Sequence, residues 1–160
     1  MKRIAILILV FGAALSGVAA ADPVSVEEAT SKHMVAQAML TAHFIDAARQ
    51  AGYSTDEINW ILRKVAAQSV ISEFWISDEN GEIVYTNSPG TGFAFPTDVD
   101  AGTQAAPFAA LFSGLATVVV QHAQPRELDS AVFKYVAVGG VDQTRIVQVG
   151  VDAAELGYDY

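Results

Sequence analysis

Phe74-Trp75-Ile76-Ser77-Asp78-Glu79-Asn80-Gly81-Glu82-Ile83-Val84-Tyr85-Thr86-Asn87 is the stretch whose reading decides the fold. Aromatic and β-branched residues stand on both sides of Asn80-Gly81, a dipeptide suited to the positive φ angles of a tight hairpin turn. The stretch predicts two antiparallel strands. A turn centred on Asn80-Gly81 sets Ile76 opposite Tyr85 and Trp75 opposite Thr86. Alternation puts Trp75 and Ser77 on one face of the sheet, and Phe74 and Ile76 on the other.

Upstream of the hairpin the period is helical. Ser25-Val26-Glu27-Glu28 reads as a capping box, in which Ser25 accepts from the free amide of Glu28 and Glu28 reaches back. Met34, Val35, Ala38, Met39, Ala42, Phe44, Ile45 and Ala48 follow at helical spacing, and Gly52 is a natural stop. This predicts a long helix over 26–51. A second cap, Ser54-Thr55-Asp56-Glu57, opens a shorter helix to about Gln68, with Ile58, Ile61, Leu62, Val65 and Ala66 as its apolar set.

Downstream, residues 88–107 carry Pro89, Gly90, Gly92, Pro96, Gly102 and Pro107. They read as a long loop, and loops of that length in a compact domain are usually functional or mobile. One or two helical turns are expected over 108–115, then strands over 117–124, 132–138 and 145–151. A hairpin loop over 139–144 joins the last two. The order predicts an α+β domain, with the long N-terminal helix and the short helix packed on a five-stranded antiparallel sheet.

The first residues read differently. Met1-Lys2-Arg3 precedes an apolar run from Ile4 to Ala21, which ends Ala19-Ala20-Ala21-Asp22-Pro23. A basic start, an apolar centre and a small-residue exit are the layout of a secretory signal peptide. We expect cleavage after Ala21, leaving residues 22–160 as one domain in the periplasm or secreted. An uncleaved N-terminal anchor is the rival reading, since the run lies at the lower edge of a spanning length.

The 160 residues hold 9 Lys+Arg against 18 Asp+Glu, a formal net charge of −9. That balance argues against a nucleic-acid partner, whose phosphates call for Lys and Arg, and against an anionic membrane surface. The chain has no cysteine, so disulfides, thiolate nucleophiles, Cys zinc sites and covalent haem attachment are excluded. His33 and His43 sit about 15 Å apart along the predicted helix, too far to share a metal. Neither a phosphate-binding glycine loop nor a catalytic motif is present, so no cofactor, no metal and no enzymatic activity are expected.

The hairpin from Phe74 to Asn87 resembles the first hairpin of the extracellular PAS-like sensor domains, the Cache family. Phe133-Lys134-Tyr135-Val136-Ala137-Val138 and Arg145-Ile146-Val147-Gln148-Val149-Gly150 fit that family's last two strands. The element order over residues 22–160 is its single-Cache arrangement. The resemblance implies a small-molecule pocket between one sheet face and the loop and short helix that follow the second strand. It also implies a small carboxylate, amino acid or similar metabolite as ligand. Family members usually sit between two membrane helices of a chemoreceptor or kinase. Here neither a second apolar run nor a signalling module follows, so a stand-alone secreted version acting through a separate membrane receptor or kinase is expected.

The candidate ligand-binding residues are Trp75, Tyr85, Phe93, Phe95, His122, Arg126, Lys134 and Tyr135. Trp75 and Tyr85 suit a pocket wall because each offers apolar area and one hydrogen bond; core packing is the plain alternative. Phe93 and Phe95 either close over a ligand or anchor the long loop. Alternation places His122, Gln124 and Arg126 on one side of a strand end, where Arg126 could hold a carboxylate in bidentate fashion or simply pair with Glu127 or Asp129. Lys134 could contact a carboxylate or guard a sheet edge. Phe133, Tyr135 and Ala137 share the face opposite Lys134.

Three functions follow from different classes: a ligand-binding sensor domain, an assembly module that dimerises through 26–51, and an acidic hydrolase. The first is the expected one. An apolar stripe of Ala36, Met39, Ala42, Phe44 and Ala47 would carry the second. Only the presence of carboxylates speaks for the third.

Overall fold

A computed structural model describes residues 25–157. The signal-peptide expectation for residues 1–21 lies outside them. Helix α1 spans Val26–Gln50, and the Ser25 side chain accepts from the amide of Glu28 as expected. Helix α2 spans Thr55–Ala66 behind a complete Ser54/Glu57 capping box, whose backbone hydrogen bond from Ser54 holds the Glu57 carboxyl below its usual range. Both helices stop one or two residues short of the sequence expectation.

Among the described residues six strands form one antiparallel sheet: β1 Glu73–Ser77, β2 Ile83–Thr86, β3 Val118–Val120, β4 Gln124–Pro125, β5 Val132–Gly139 and β6 Ile146–Asp152. Their spatial order is β2-β1-β6-β5-β3, with β4 also paired to β5. The hairpin register is the expected one, Trp75 opposite Thr86 and Ile76 opposite Tyr85, and a bulge then shifts Ser77 onto Ile83. Asp78 builds the turn. Its carboxylate accepts from the amides of Asn80 and Glu82, and its own amide donates to the Glu82 carbonyl. At the hairpin's open end Asn87 accepts from the Phe74 amide and donates to the Ser72 carbonyl, extending the ladder by a side chain.

The expected strand over 117–124 is two pieces. After Val120 the chain bends at 121–123 before β4, which leaves a break where continuous alternation was assumed. The expected helical turns are a 3-10 helix at Ala106–Leu111, two residues earlier than read, with Pro107 at its start.

Helix α1 lies across β5 and β6, and α2 across β1 and β2. The buried line of α1 is Met34, Ala38, Thr41, Ala42, Ile45 and Ala48. Four of these six are small, so the helix can approach the sheet closely. They meet Phe74, Ile76, Val136, Val138, Val147, Val149 and Val151 in the larger core. A second core occupies the other face: Trp75, Phe95, Phe108, Leu111, Phe133, Tyr135, Ala137 and Ile146. The loop after β2 and the 3-10 helix cover it. All five residues of β1 are therefore buried, which suits a strand covered on both faces. Among the described residues, no helix is long and apolar enough to cross a membrane.

Candidate functional site

The face of the sheet opposite the helices carries a cavity of about 300 Å³, the lower end of the range for small-molecule sites. Trp75 of β1, Tyr135 of β5 and Gln148 of β6 form its floor, and Thr91, Gly92, Phe93 and Gln104 of the loop form its roof. Phe108, Gln121, Arg126, Glu127 and Leu128 close the sides.

The aromatic part is a chain of edge-on rings. Trp75 meets Phe93 with centroids 5.4 Å apart, Phe93 meets Phe95 at 4.9 Å, and Phe95 meets Phe108 at 6.0 Å. Each contact has the perpendicular geometry that the ring quadrupoles favour. Phe95 is buried beneath the roof and pins it: its amide donates to the Gly81 carbonyl at 2.9 Å, and Ala94 bridges to Glu82. The loop is thereby fastened to the hairpin turn. Gly81, at φ +88°, lies so close that a Cβ there would stand 2.1 Å from the Phe95 carbonyl oxygen.

The polar part centres on Glu73, two residues before Trp75 and on its face. Glu73 Oε2 accepts from Trp75 Nε1 and from the Tyr135 hydroxyl, both at 2.9 Å. Glu73 Oε1 accepts from Arg126 Nη1. Arg126 is engaged twice over, because its Nε and Nη2 donate to the two oxygens of Asp129 at 2.7 and 2.6 Å. Its guanidinium also lies over the Phe133 ring, 4.2 Å from the centroid. The hydrogen bonds it donates to Asp129 raise the Arg126 pKa above its usual value, and the same contact lowers Asp129 to about 2. Burial, followed by the Glu73 charge, raises the Tyr135 phenol.

A hairpin turn delivers Arg126. Its amide donates to the Ala131 carbonyl, and Ser130, which takes a left-handed φ of 63°, donates its amide back to the Arg126 carbonyl. Next to it, Glu127 and Gln104 clasp the loop to this turn. Glu127 Oε1 accepts from the Gln104 amide at 2.8 Å, and the Glu127 amide donates to Gln104 Oε1 at 3.3 Å.

Four of the eight expected residues line the cavity together: Trp75, Phe93, Arg126 and Tyr135. Phe95 supports the roof from behind. Three expectations are corrected. Tyr85 pairs with Ile76 and therefore packs on the helix side with the larger core. Lys134 is 1% exposed and also points to the helix side, where its Nζ donates to the Gln121 carbonyl at 3.1 Å and lies 3.5 Å from Glu27 Oε1; it is no edge guard either. His122 follows the break after β3 and turns outward, its side chain 90% exposed, with Nδ1 2.6 Å from Glu27 Oε1. That bond, with Lys134 nearby, holds the Glu27 carboxyl below its usual range. Glu73, Gln104, Gln121 and Gln148 were not among the expected residues.

Among the described residues, no group of three or more His, Asp or Glu is placed to hold a metal. A scan against models of protein families found no match, and a search of curated proteins found none either.

Proposed function

We propose that this chain is a small-molecule-binding domain of the extracellular PAS-like sensor type, exported to the periplasm or secreted after cleavage at Ala21. It acts by presenting its ligand state to a separate membrane receptor or kinase. The observation that carries this reading is the cavity between the sheet and the pinned loop, walled by Trp75, Phe93, Phe108 and Tyr135. A concave, mostly apolar site with a few convergent polar groups is the usual form of a ligand pocket. The charged groups beside the cavity, Glu73, Arg126 and Asp129, bind one another, which favours a binder over an enzyme. The same pairing speaks against Arg126 as a clamp for a carboxylate ligand.

Native mass spectrometry of the protein purified from the periplasm, followed by a thermal-shift screen, tests this reading. A ligand at one hundred times its Kd adds about 2.7 kcal/mol, several degrees for a domain of this size. A retained mass or a clear stabiliser is expected; a protein that retains nothing and that no compound stabilises refutes it.

One observation favours a second reading, an assembly module that dimerises through α1. Met39 and Leu40 are 50% and 63% exposed there, although Ala42 of the expected stripe is spent on the sheet. Sedimentation of the wild type and of Leu40→Glu decides it: a dimer that the substitution dissolves supports assembly, and a monomer in both cases removes it.

A further inference from the structure

Resting on the binding reading above, the geometry points to a ligand class: a neutral, planar molecule that carries a carbonyl and an N–H on one edge, as cyclic amides and ureides do. Two glutamine carboxamides in the cavity wall lead to it. Gln104 Nε2 and Gln121 Oε1 are buried and have no hydrogen-bond partner among the described residues. Buried polar groups are normally satisfied, and each one left without a partner is costly.

The identity of the two orphans is fixed by their other halves. Gln104 Oε1 faces the donating amide of Glu127, so turning that carboxamide over would set two N–H groups against each other. Gln121 Nε2 donates to the Gln104 carbonyl at 2.6 Å, so turning it over would set two oxygens together. The two carboxamides therefore hold one unused donor, at Gln104, and one unused acceptor, at Gln121. The matching edge has a carbonyl for the first and an N–H for the second. Both atoms are covered in the closed wall, so seating such an edge requires the loop to give way at Gln104.

Charge and shape narrow the class. Among the described residues that line the cavity the charged ones are Arg126 and Glu127, and Arg126 is already engaged by Asp129 and Glu73 behind it. An anionic ligand would meet the Glu127 carboxylate and a cation that is already paired, and desolvating its charge there is expensive. Trp75, Phe93 and Phe108 supply apolar contact for a flat ring, and Gln148, 3% exposed on the floor, is a third carboxamide in the lining.

The test is a thermal-shift and calorimetric comparison on the purified protein of uracil, hydantoin and nicotinamide against acetate, succinate and L-alanine. At least one neutral amide is expected to bind and stabilise, and none of the carboxylates. Gln121→Met and Gln104→Met should each weaken that binding tenfold or more while the circular dichroism spectrum is unchanged. Stabilisation by a carboxylate and by none of the amides would overturn the ligand class and leave the binding domain standing. Amide binding that both variants leave intact would overturn the assignment to these glutamines. Failure of every compound in both sets would overturn the class and count against the binding reading with it. Should either variant fail to fold, the wild-type comparison still decides the class.

Discussion

The Tyr135 ring lies across the Cα of Gly150, where a Cβ would stand 2.5 Å from its Cε1. The two residues are register partners on β5 and β6, and Gly150 is also the partner of Glu73 on β1. The missing side chain lets the ring lean over β6 and bring its hydroxyl onto Glu73, two strands away. The polar centre behind the cavity wall thus depends on a glycine outside the cavity lining.

Gly150→Ala should accordingly displace the Tyr135 ring and break its bond to Glu73. The expected cost is about 1–3 kcal/mol, as for other overpacked core sites, measured by urea denaturation. A spectrophotometric tyrosine titration provides an independent check. The raised Tyr135 phenol of the wild type should move back towards the ordinary value of 10.0 in the variant.

Lys134 separates packing from charge. Lys134→Met keeps the buried stem and removes a buried ammonium, and it leaves no buried charge unpaired because the ionic partner Glu27 is half-exposed. Its thermal midpoint should equal or exceed that of the wild type, whereas Lys134→Ala opens a cavity and should cost about 2–3 kcal/mol. Neither should change ligand preference, since the side chain lies on the helix side of the sheet.

Acid should loosen the turn that carries Arg126. The Asp129 carboxyl is depressed from 3.8 to about 2 by Arg126. A depressed carboxyl contributes stability that is fully present above its unfolded value and is lost as pH falls through the folded one. The contribution should therefore disappear between about pH 4 and pH 2. Asp129→Asn should flatten that part of a stability-against-pH curve and leave the curve above pH 5 parallel to that of the wild type.

Trp60 and Phe108 make opposite cases of a large aromatic. Trp60 is 55% exposed on α2 with Lys64 5.2 Å above its ring, so Trp60→Ala should cost no more than about 1 kcal/mol. Phe108, 1% exposed under the loop, should cost about 3–5 kcal/mol as Phe108→Ala and enlarge the cavity. Denaturant midpoints for the two variants check the contrast.

The hairpin register was readable from Asn80-Gly81 because a turn residue and a period of two are both local signals. That register already set Tyr85 on the face opposite Trp75, and alternation likewise set Lys134 opposite Tyr135; a single pocket could not hold both members of either pair. Glu73 was legible by the same parity as Trp75, and Gln148 by the parity of Ile146. Gln104 and Gln121 were not. One belongs to a loop without a period, and the other precedes a break in the strand that no turn residue announces. His122 was misplaced by that break. The pairing of Arg126 with Asp129 was one of two local alternatives, and only the turn through Ser130 selects between them.

The contact between Gly81 and Phe95 divides the chain between β2 and the 3-10 helix into two independent arcs. Residues 93–96 are a fixed post, while 97–103 form an outer arc whose side chains are mostly exposed. Length on the outer arc is therefore a free variable: extra residues between Asp98 and Ala101 would extend into solvent without touching the roof. One residue added between Gly81 and Phe95 would instead unseat the roof from the hairpin. A fluorophore or fusion partner belongs on that outer arc, where it can report on Gln104 a few residues away without altering the cavity it reports on.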